Sequence, residues 1–142
     1  MIVIDANLAI RAVLPTGEKD LALARLAAWH QNRVDLYAPD ILVPEAISVI
    51  RKFVYERWIT EDEGHDAAQD VFRLGVKVIL SDAALGQSAL AWAGRLGQAR
   101  AYDAFYLALA ERLDSELWTG DKKLYHRSQQ FSLTWVRWAE EA

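Results

Sequence analysis

Two acidic residues follow short apolar runs, at points where a buried strand would end. Asp5 comes directly after the apolar residues 2–4, and Asp121 closes the segment LWTGD at 117–121. An acid in such a position can cap the helix that follows, and Thr-Gly-Asp also suits a turn. Carboxylates that gather at one place can instead bind a hard divalent cation, because Mg²⁺ and Mn²⁺ prefer oxygen ligands.

Two further acids, Glu45 and Asp103, fall in the first turns of predicted helices. Asp103 lies within the segment Tyr-Asp-Ala-Phe-Tyr at 102–106, where the residues around it are mostly apolar. An acid in a first helical turn stabilises the helix dipole by less than about 1 kcal/mol, and this is the ordinary explanation for such a residue. Each of the four acids taken alone is therefore a weak signal.

The hydrophobic pattern predicts strands that alternate with helices along the chain. The predicted strands are 2–4, 35–39, 76–80, 116–118 and 131–136. The predicted helices are 7–14, 18–31, 42–58, 60–75, 82–97 and 102–113. This alternation is typical of an α/β fold with a mostly parallel central sheet and right-handed crossovers. An all-α protein with short β segments is the alternative, because the helix content is high.

The topology of such a fold sends all four acids to one edge of the sheet. Helices that connect parallel strands begin near the carboxyl edge, where α/β proteins bind their ligands. Asp5 and Asp121 follow strands, whereas Glu45 and Asp103 begin helices. Whether they meet depends on the strand order, which the hydrophobic pattern leaves open. Buried like charges repel each other, and a divalent cation would explain why four acids collect there.

Composition limits the class of protein. The chain has 142 residues, of which 53% are hydrophobic and 25% charged, and this predicts one domain over residues 1–142. It contains no cysteine, which excludes disulfides and thiolate metal sites and fits a reducing cytoplasm. We expect neither a signal peptide nor a membrane span, which needs about 18 apolar residues. The net charge of −4 means that any nucleic acid must be met by a local basic patch or a bound cation.

Taken together, these motifs resemble those of a PIN domain. The matching features are Asp5-Ala6-Asn7 after the opening strand, Glu45 early in a helix, Asp103 within Tyr-Asp-Ala-Phe-Tyr, and Thr119-Gly120-Asp121 after a later strand. The size and the opening motif are similar to those of VapC-type toxins of toxin–antitoxin pairs. The resemblance covers nearly the whole chain, and its specificity lies in the order and spacing of the motifs.

The resemblance implies a fold, an activity and partners. The fold would be a three-layer PIN-like sandwich with a five-stranded sheet in the order 3-2-1-4-5, which places the first and fourth strands side by side. The activity would be that of a Mg²⁺- or Mn²⁺-dependent endoribonuclease, the toxin of a type II pair. The partners would be a second copy of the chain and a protein antitoxin. This chain lacks one feature that would enlarge the set of acids, because no additional acid stands next to Asp103.

The resemblance also implies roles for the site residues. Asp5, Asp103 and Asp121 would hold the metal or its water, and Glu45 would do the same or accept a proton from the nucleophile. Asn7 and Thr119 would orient ligands or bound water. Basic residues are the candidates for phosphate contacts, and they are Arg11, Arg51, Lys52, Arg95, Arg100, Lys122, Lys123 and Arg127.

Three other classes of protein share part of this pattern. A haloacid-dehalogenase phosphatase would need a second acid two residues after the first, where this chain has Asn7. A receiver domain would need an acid at the end of the third strand, and Asp82 comes one residue after Ser81. The third alternative is a PIN-like module that binds RNA or protein but has lost its catalytic activity.

Overall fold

All four strand pairings of the sheet are parallel in the computed structural model, which describes residues 1–141. The strand order is β3-β2-β1-β4-β5. The strands are β1 (Ile2–Ile4), β2 (Leu36–Pro39), β3 (Val76–Ile79), β4 (Glu116–Thr119) and β5 (Val136–Trp138). The predicted α/β fold and its strand order are therefore confirmed.

Seven helices in the described residues pack around this sheet. They are α1 (Ala6–Val13), α2 (Lys19–Gln31), α3 (Leu42–Tyr55), α4 (Glu61–Val71), α5 (Ala83–Leu96), α6 (Tyr102–Arg112) and α7 (Lys122–Gln130). Helices α1 to α4 pack against one another, while α5 packs on α6 and α6 crosses β1, β2 and β4. Thr60 and Glu63 form a capping box at the start of α4.

Helix α3 ends earlier than the sequence suggests. The prediction extended it to Trp58, but the helix stops at Tyr55 and Arg57 adopts a left-handed conformation with φ of 61°. The chain then turns back, so that the N–H of Trp58 donates to the carbonyl of Phe53 at 2.9 Å. Trp58 therefore does not continue the apolar stripe of α3, and its side chain is 66% exposed.

The C-terminal part of the chain also differs from the prediction. Helix α7 was not predicted, because its sequence is polar and it buries only Leu124 and Ser128. The fifth strand was predicted at 131–136 but covers only Val136–Trp138, since Ser132 takes a positive φ of 58° that ends any extended run. Its predicted place at an edge of the sheet is confirmed.

The pairing of β1 with β4 determines where the two strand-ending acids lie. Ile4 stands opposite Trp118 in the register, and the N–H of Asp5 donates to the carbonyl of Trp118 at 3.2 Å. Asp5 is thereby brought beside Thr119. The first, apolar strand is fully enclosed between β2 and β4, because Val3 and Ile4 have no exposed surface. Among the described residues, no helix has both the length and the apolar character that a membrane crossing requires.

The contact between α3 and α4 depends on a glycine. A Cβ added to Gly64 would lie 2.6 Å from Cγ2 of Val54, a stiff side chain on the facing helix. We expect Gly64→Ala to destabilise the protein by about 1–3 kcal/mol, as overpacking of a core does. The matched control is Gly86→Ala in α5, where a Cβ meets nothing within 4 Å. That change should stabilise by roughly 0.5–1 kcal/mol, because alanine favours a helix over glycine. Urea unfolding measures both, and a neutral Gly64→Ala would contradict the packing account.

Candidate active site

Asp5 lies at the end of β1, buried beneath the turn that follows β4. Its Oδ1 accepts hydrogen bonds from the N–H of Leu8 at 2.9 Å and of Gly120 at 3.2 Å. Its Oδ2 accepts a hydrogen bond from the Thr119 hydroxyl. Burial raises the pKa of Asp5 to about 6, although these three donors oppose the rise. Asp5 therefore caps α1 and also joins β1 to the turn after β4.

Gly120 allows that turn to approach α1 closely. A Cβ at this position would lie 3.1 Å from the Cβ and the carbonyl carbon of Asn7, and 3.1 Å from Nε of Arg11. Any side chain at residue 120 would thus push the turn away from the helix. Asn7 is exposed beside the turn, at the same edge as Asp5.

Asp121 begins α7 and shares the same turn. Its Oδ1 accepts hydrogen bonds from the N–H of Lys123 at 2.9 Å and of Leu124 at 3.3 Å, which makes it the N-cap of the helix. Its own N–H donates to Oγ1 of Thr119 at 2.9 Å. The Thr119 side chain therefore connects Asp5 with Asp121. The capping interpretation of this segment is therefore confirmed, and its role in an active site stays a prediction.

Glu45, in the first turn of α3, faces Tyr106 of α6. The Tyr106 hydroxyl donates to Oε1 of Glu45 at 2.9 Å. Burial, together with the negative charges of Asp103 and Asp5, raises the pKa of Glu45 to about 7, although the tyrosine hydrogen bond opposes the rise. Burial also raises the pKa of Tyr106, so its hydroxyl stays protonated and remains a donor.

Asp103 completes the group of acids. Burial raises its pKa first, and the charge of Asp121 adds to the rise. Asp121 also raises the pKa of Asp5, while Asp5 and Asp103 raise that of Glu45. The charges of the four carboxylates therefore influence one another, and the four form one electrostatic group. The group lies at the carboxyl edge of the sheet, as the α/β topology predicts. The role of each within the group stays a prediction.

The chemistry of this group fits a hard divalent cation. Mg²⁺ keeps several waters and often binds through only one or two carboxylates, so an open arrangement suits it. A cation would also lower the pKa values that burial and mutual repulsion raise. Within residues 1–141, however, no three acidic or histidine side chains converge closely enough to enclose an ion as they stand. The donor types fit the metal, but the protein does not present a closed cage for it.

The structure reduces the set of basic residues that can meet a phosphate at this edge. Lys122 and Lys123 are exposed directly after Asp121. Arg11 lies at the site but is engaged by protein groups, with Nη1 2.8 Å from Glu140 and Nη2 2.9 Å from the carbonyl of Gly120. Other predicted candidates have partners elsewhere: Arg127 donates to the carbonyl of Leu96 at 2.8 Å, and Arg51 and Arg95 stack on Tyr55 and Trp92.

Tyr106 is the residue at this site that the sequence did not indicate. It lies among apolar residues of a helix, where a packing role is the ordinary expectation, and its side chain is 1% exposed. The available signal was its spacing, because residues three apart share a helical face and Tyr106 follows Asp103 by that interval. A buried tyrosine also needs a partner for its hydroxyl, and a nearby carboxylate provides one.

Removal of the Tyr106 hydroxyl should shift the titration of Glu45. In Tyr106→Phe we expect the pKa of Glu45 to rise above about 7, because the carboxylate loses its donor. A raised folded pKa contributes stability that is fully present below the unfolded value and is lost as pH rises through the folded value. Without metal, the free energy of unfolding of Tyr106→Phe should therefore still fall with rising pH in a range where that of the parent has already levelled off. Carboxyl NMR titration measures the shift, and Tyr55→Phe, at a tyrosine 75% exposed, is the matched control. An unchanged Glu45 titration in Tyr106→Phe would contradict the assignment.

Solved structures share the fold of this chain at low sequence identity. PAE2754 from Pyrobaculum aerophilum is 19% identical with a TM-score of 0.72, over 98% of this chain and 83% of that one. VapC20 from Mycobacterium tuberculosis, titled a sarcin-ricin loop cleaving toxin, is 16% identical with a TM-score of 0.65, over 89% and 94%. VapBC2 from Rickettsia felis, bound to promoter DNA, is 14% identical with a TM-score of 0.65, over 97% of both chains.

Sequence comparison assigns the family. No curated protein matches the chain. The family model described as PIN domain matches residues 3–132, which is most of the chain and includes all four acids. The chain therefore belongs to the PIN domain family.

Proposed function

We propose that this protein is a Mg²⁺- or Mn²⁺-dependent endoribonuclease. The observation that carries the proposal is the group of four carboxylates at one sheet edge, of which the buried Asp5 has a pKa of about 6 and Glu45 one of about 7. Perturbed titrations of this kind cluster at functional sites. Membership of a family whose domains are typically nucleases supports the same activity.

The chemistry is hydrolysis of a phosphodiester. When bound, the cation polarises the scissile phosphate and lowers the pKa of a coordinated water. Asp5, Asp103 and Asp121 would hold it, and Thr119 fixes the orientation of the Asp5 carboxylate through its hydroxyl. Glu45, whose pKa burial raises to about 7 in the protein without metal, accepts the proton of the attacking water. The water oxygen bonds to phosphorus, the ester bond to the leaving oxygen breaks, and that oxygen takes up a proton from solvent water.

Tyr106, Asn7 and the two lysines complete the proposed site. The Tyr106 hydroxyl holds one oxygen of Glu45 and leaves the other for the water. Asn7 is exposed beside the turn and can orient the RNA or a bound water. Lys122 and Lys123 supply positive charge at an otherwise acidic edge, which RNA needs to approach.

The proposed biological role is that of the toxin in a type II toxin–antitoxin pair. Two of the proteins of similar fold are VapC20, titled a toxin, and VapBC2, titled as bound to promoter DNA. We further propose that residues 1–142 form one PIN domain, which dimerises and binds a protein antitoxin. The alternative is a PIN module without catalytic activity, and the absence of three converging acids within residues 1–141 is the observation in its favour.

The first test is metal-dependent cleavage of RNA. Purified protein, free of any partner, is incubated with tRNA and ribosomal RNA in Mg²⁺ or Mn²⁺, and in parallel with EDTA. We expect cleavage that EDTA abolishes, because the carboxylates need the cation to act on a phosphate. The matched variants are Asp103→Asn, which should be inactive, and Asp66→Asn at an exposed acid of α4, which should be active. Cleavage that persists in EDTA would overturn the metal mechanism, and equal cleavage by both variants would overturn the site.

The second test separates a metal-site acid from a helix-dipole acid. Since burial and the charge of Asp121 raise the pKa of Asp103, its stabilising contribution is present below about pH 4 and is lost as pH rises through the folded value. At pH 8 without metal, Asp103→Asn should therefore be more stable than the parent. Saturating Mn²⁺ should raise the Tm of the parent far more than that of the variant. A helix-dipole acid would behave differently: its loss would cost up to about 1 kcal/mol, and metal would have no differential effect.

The third test concerns association. Trp29 packs edge-on against Trp118 with ring centroids 5.3 Å apart. Tyr55 and Trp58, by contrast, are left exposed near the end of α3. Neighbouring exposed aromatic residues such as Tyr55 and Trp58 form an apolar patch of the kind that marks an interface, whereas single exposed apolar residues are common on any surface. We expect light scattering to show a dimer that Trp58→Ala weakens and Phe72→Ala, at another exposed aromatic, does not. A monomer at high micromolar concentration would rule out the dimer.

The toxin role is tested by expressing the chain in cells with and without its neighbouring gene. Equal growth of the two cultures would count against that role.

A further inference from the structure

Arg11, in the last turn of α1, is held on several sides by protein groups. Nη1 lies 2.8 Å from Oε1 of Glu140, Nη2 donates to the carbonyl of Gly120 at 2.9 Å, and Nε lies 3.4 Å from Oε2 of Glu18. The guanidinium also stacks over the ring of Trp138 at 5.2 Å. Its side chain is only 14% exposed. An arginine recruited to bind phosphate would present its donors to solvent, and this one does not.

The bond from Arg11 to the Gly120 carbonyl fixes a second peptide unit, next to one that is already held by hydrogen bonds at both its N–H and its carbonyl. The N–H of Gly120 donates to the buried carboxylate of Asp5 at 3.2 Å, and its carbonyl accepts from Arg11. The preceding carbonyl, that of Thr119, accepts from the N–H of Ala139 at 2.9 Å. Together these bonds set the direction in which the chain leaves β4, and hence the position of Asp121.

This arrangement requires the shape of an arginine as well as its charge. The planar fork of a guanidinium can bind a carboxylate and a carbonyl at the same time and still stack on an aromatic ring. A lysine would bring one positive charge to a single point. Because Arg11 draws partners from the segment after β5, it couples that segment to the turn that carries two predicted site residues.

We propose that Arg11 is a positioning residue, which holds the Thr119-Gly120-Asp121 turn against Asp5 and does not bind the substrate phosphate. This rests on the proposed nuclease function only for its catalytic consequence, since the effect on the turn is a property of the protein alone. A residue that acts in this way changes the turnover step and the metal affinity. A phosphate-binding arginine instead changes the affinity for RNA and its dependence on salt.

The experiment compares three variants of the full chain: Arg11→Lys, Arg11→Gln and Arg127→Gln. Arg127 is the matched control, because it also donates to a backbone carbonyl, that of Leu96, and its side-chain partner is Gln130. Four quantities are measured at a temperature where each variant is folded: hydrogen exchange of the Gly120 and Asp121 amides, Mn²⁺ affinity by electron paramagnetic resonance, kcat and KM on a cleaved RNA, and the salt dependence of RNA binding.

We expect both Arg11 variants to lose amide protection at Gly120 and Asp121 and to bind Mn²⁺ more weakly, with kcat lower by about 100-fold, as misplacement of a catalytic group by about 1 Å produces. KM and the salt dependence of RNA binding should stay as in the parent. Arg11→Lys should not rescue the losses, and Arg127→Gln should show none of them. If Arg11→Gln does not fold, Glu140→Gln takes its place, and it should show smaller losses of the same kind.

Three results would overturn the proposal. The first is unchanged protection of the Gly120 amide in both Arg11 variants, and the second is full rescue by lysine. The third is a rise in KM with an unchanged kcat and a weaker salt dependence of RNA binding, which identifies a phosphate contact. The outcome is separable from that of the proposed function. A parent protein that neither binds Mn²⁺ nor cuts RNA defeats the nuclease proposal, while amide exchange at Gly120 still decides whether Arg11 holds the turn.

Discussion

The hydrogen bonds between the Asp5 carboxylate and the turn after β4 are the interaction on which this architecture depends. They join β1 to β4 at the place where both strands end. This place is inside the protein, where Asp5 is 3% exposed and Thr119 is fully buried. A buried carboxylate is costly unless its oxygens are satisfied, and here three donors satisfy them. One set of hydrogen bonds therefore fixes the end of the β1–β4 pair, the start of α1 and the geometry of the site.

The same acids serve both the helices and the candidate site. Asp5 caps α1 and Asp121 caps α7, each with Oδ1 as the acceptor for backbone N–H groups. In both, the direction of the side chain is fixed by the helix that it caps. Preorganisation of this kind lets a carboxylate act without a conformational rearrangement of its own. Burial, and to a smaller extent mutual repulsion, raises the pKa values of Asp5, Glu45 and Asp103, and this is the energetic cost of the arrangement.

The sequence predicted those parts of the fold that depend on local hydrophobic pattern. The strands β1 and β2, the helices α2, α4, α5 and α6, and the places of the four acids could all be read from it. It failed where a single residue with a positive φ ends an element, as at Arg57 and Ser132, because no local pattern marks such a residue unless it is glycine. It also missed α7, whose polar sequence gives too weak a hydrophobic period. The local sequence pattern could not predict the contacts of Tyr106 and Arg11, since their partners lie 61 and up to 129 residues away in the chain.

These separations bear on the order in which the protein can be assembled during synthesis. Of the five strands of this sheet, the central one is made first, and Asp5 comes with it. Its partners Thr119 and Gly120 lie 114 and 115 residues later, and at about 5–20 residues per second they follow only after several seconds. Until then the nascent chain can form α1 to α6 but cannot close the pocket around Asp5. The four carboxylates come together as a group only after Asp121, the last of them in the chain, has been made.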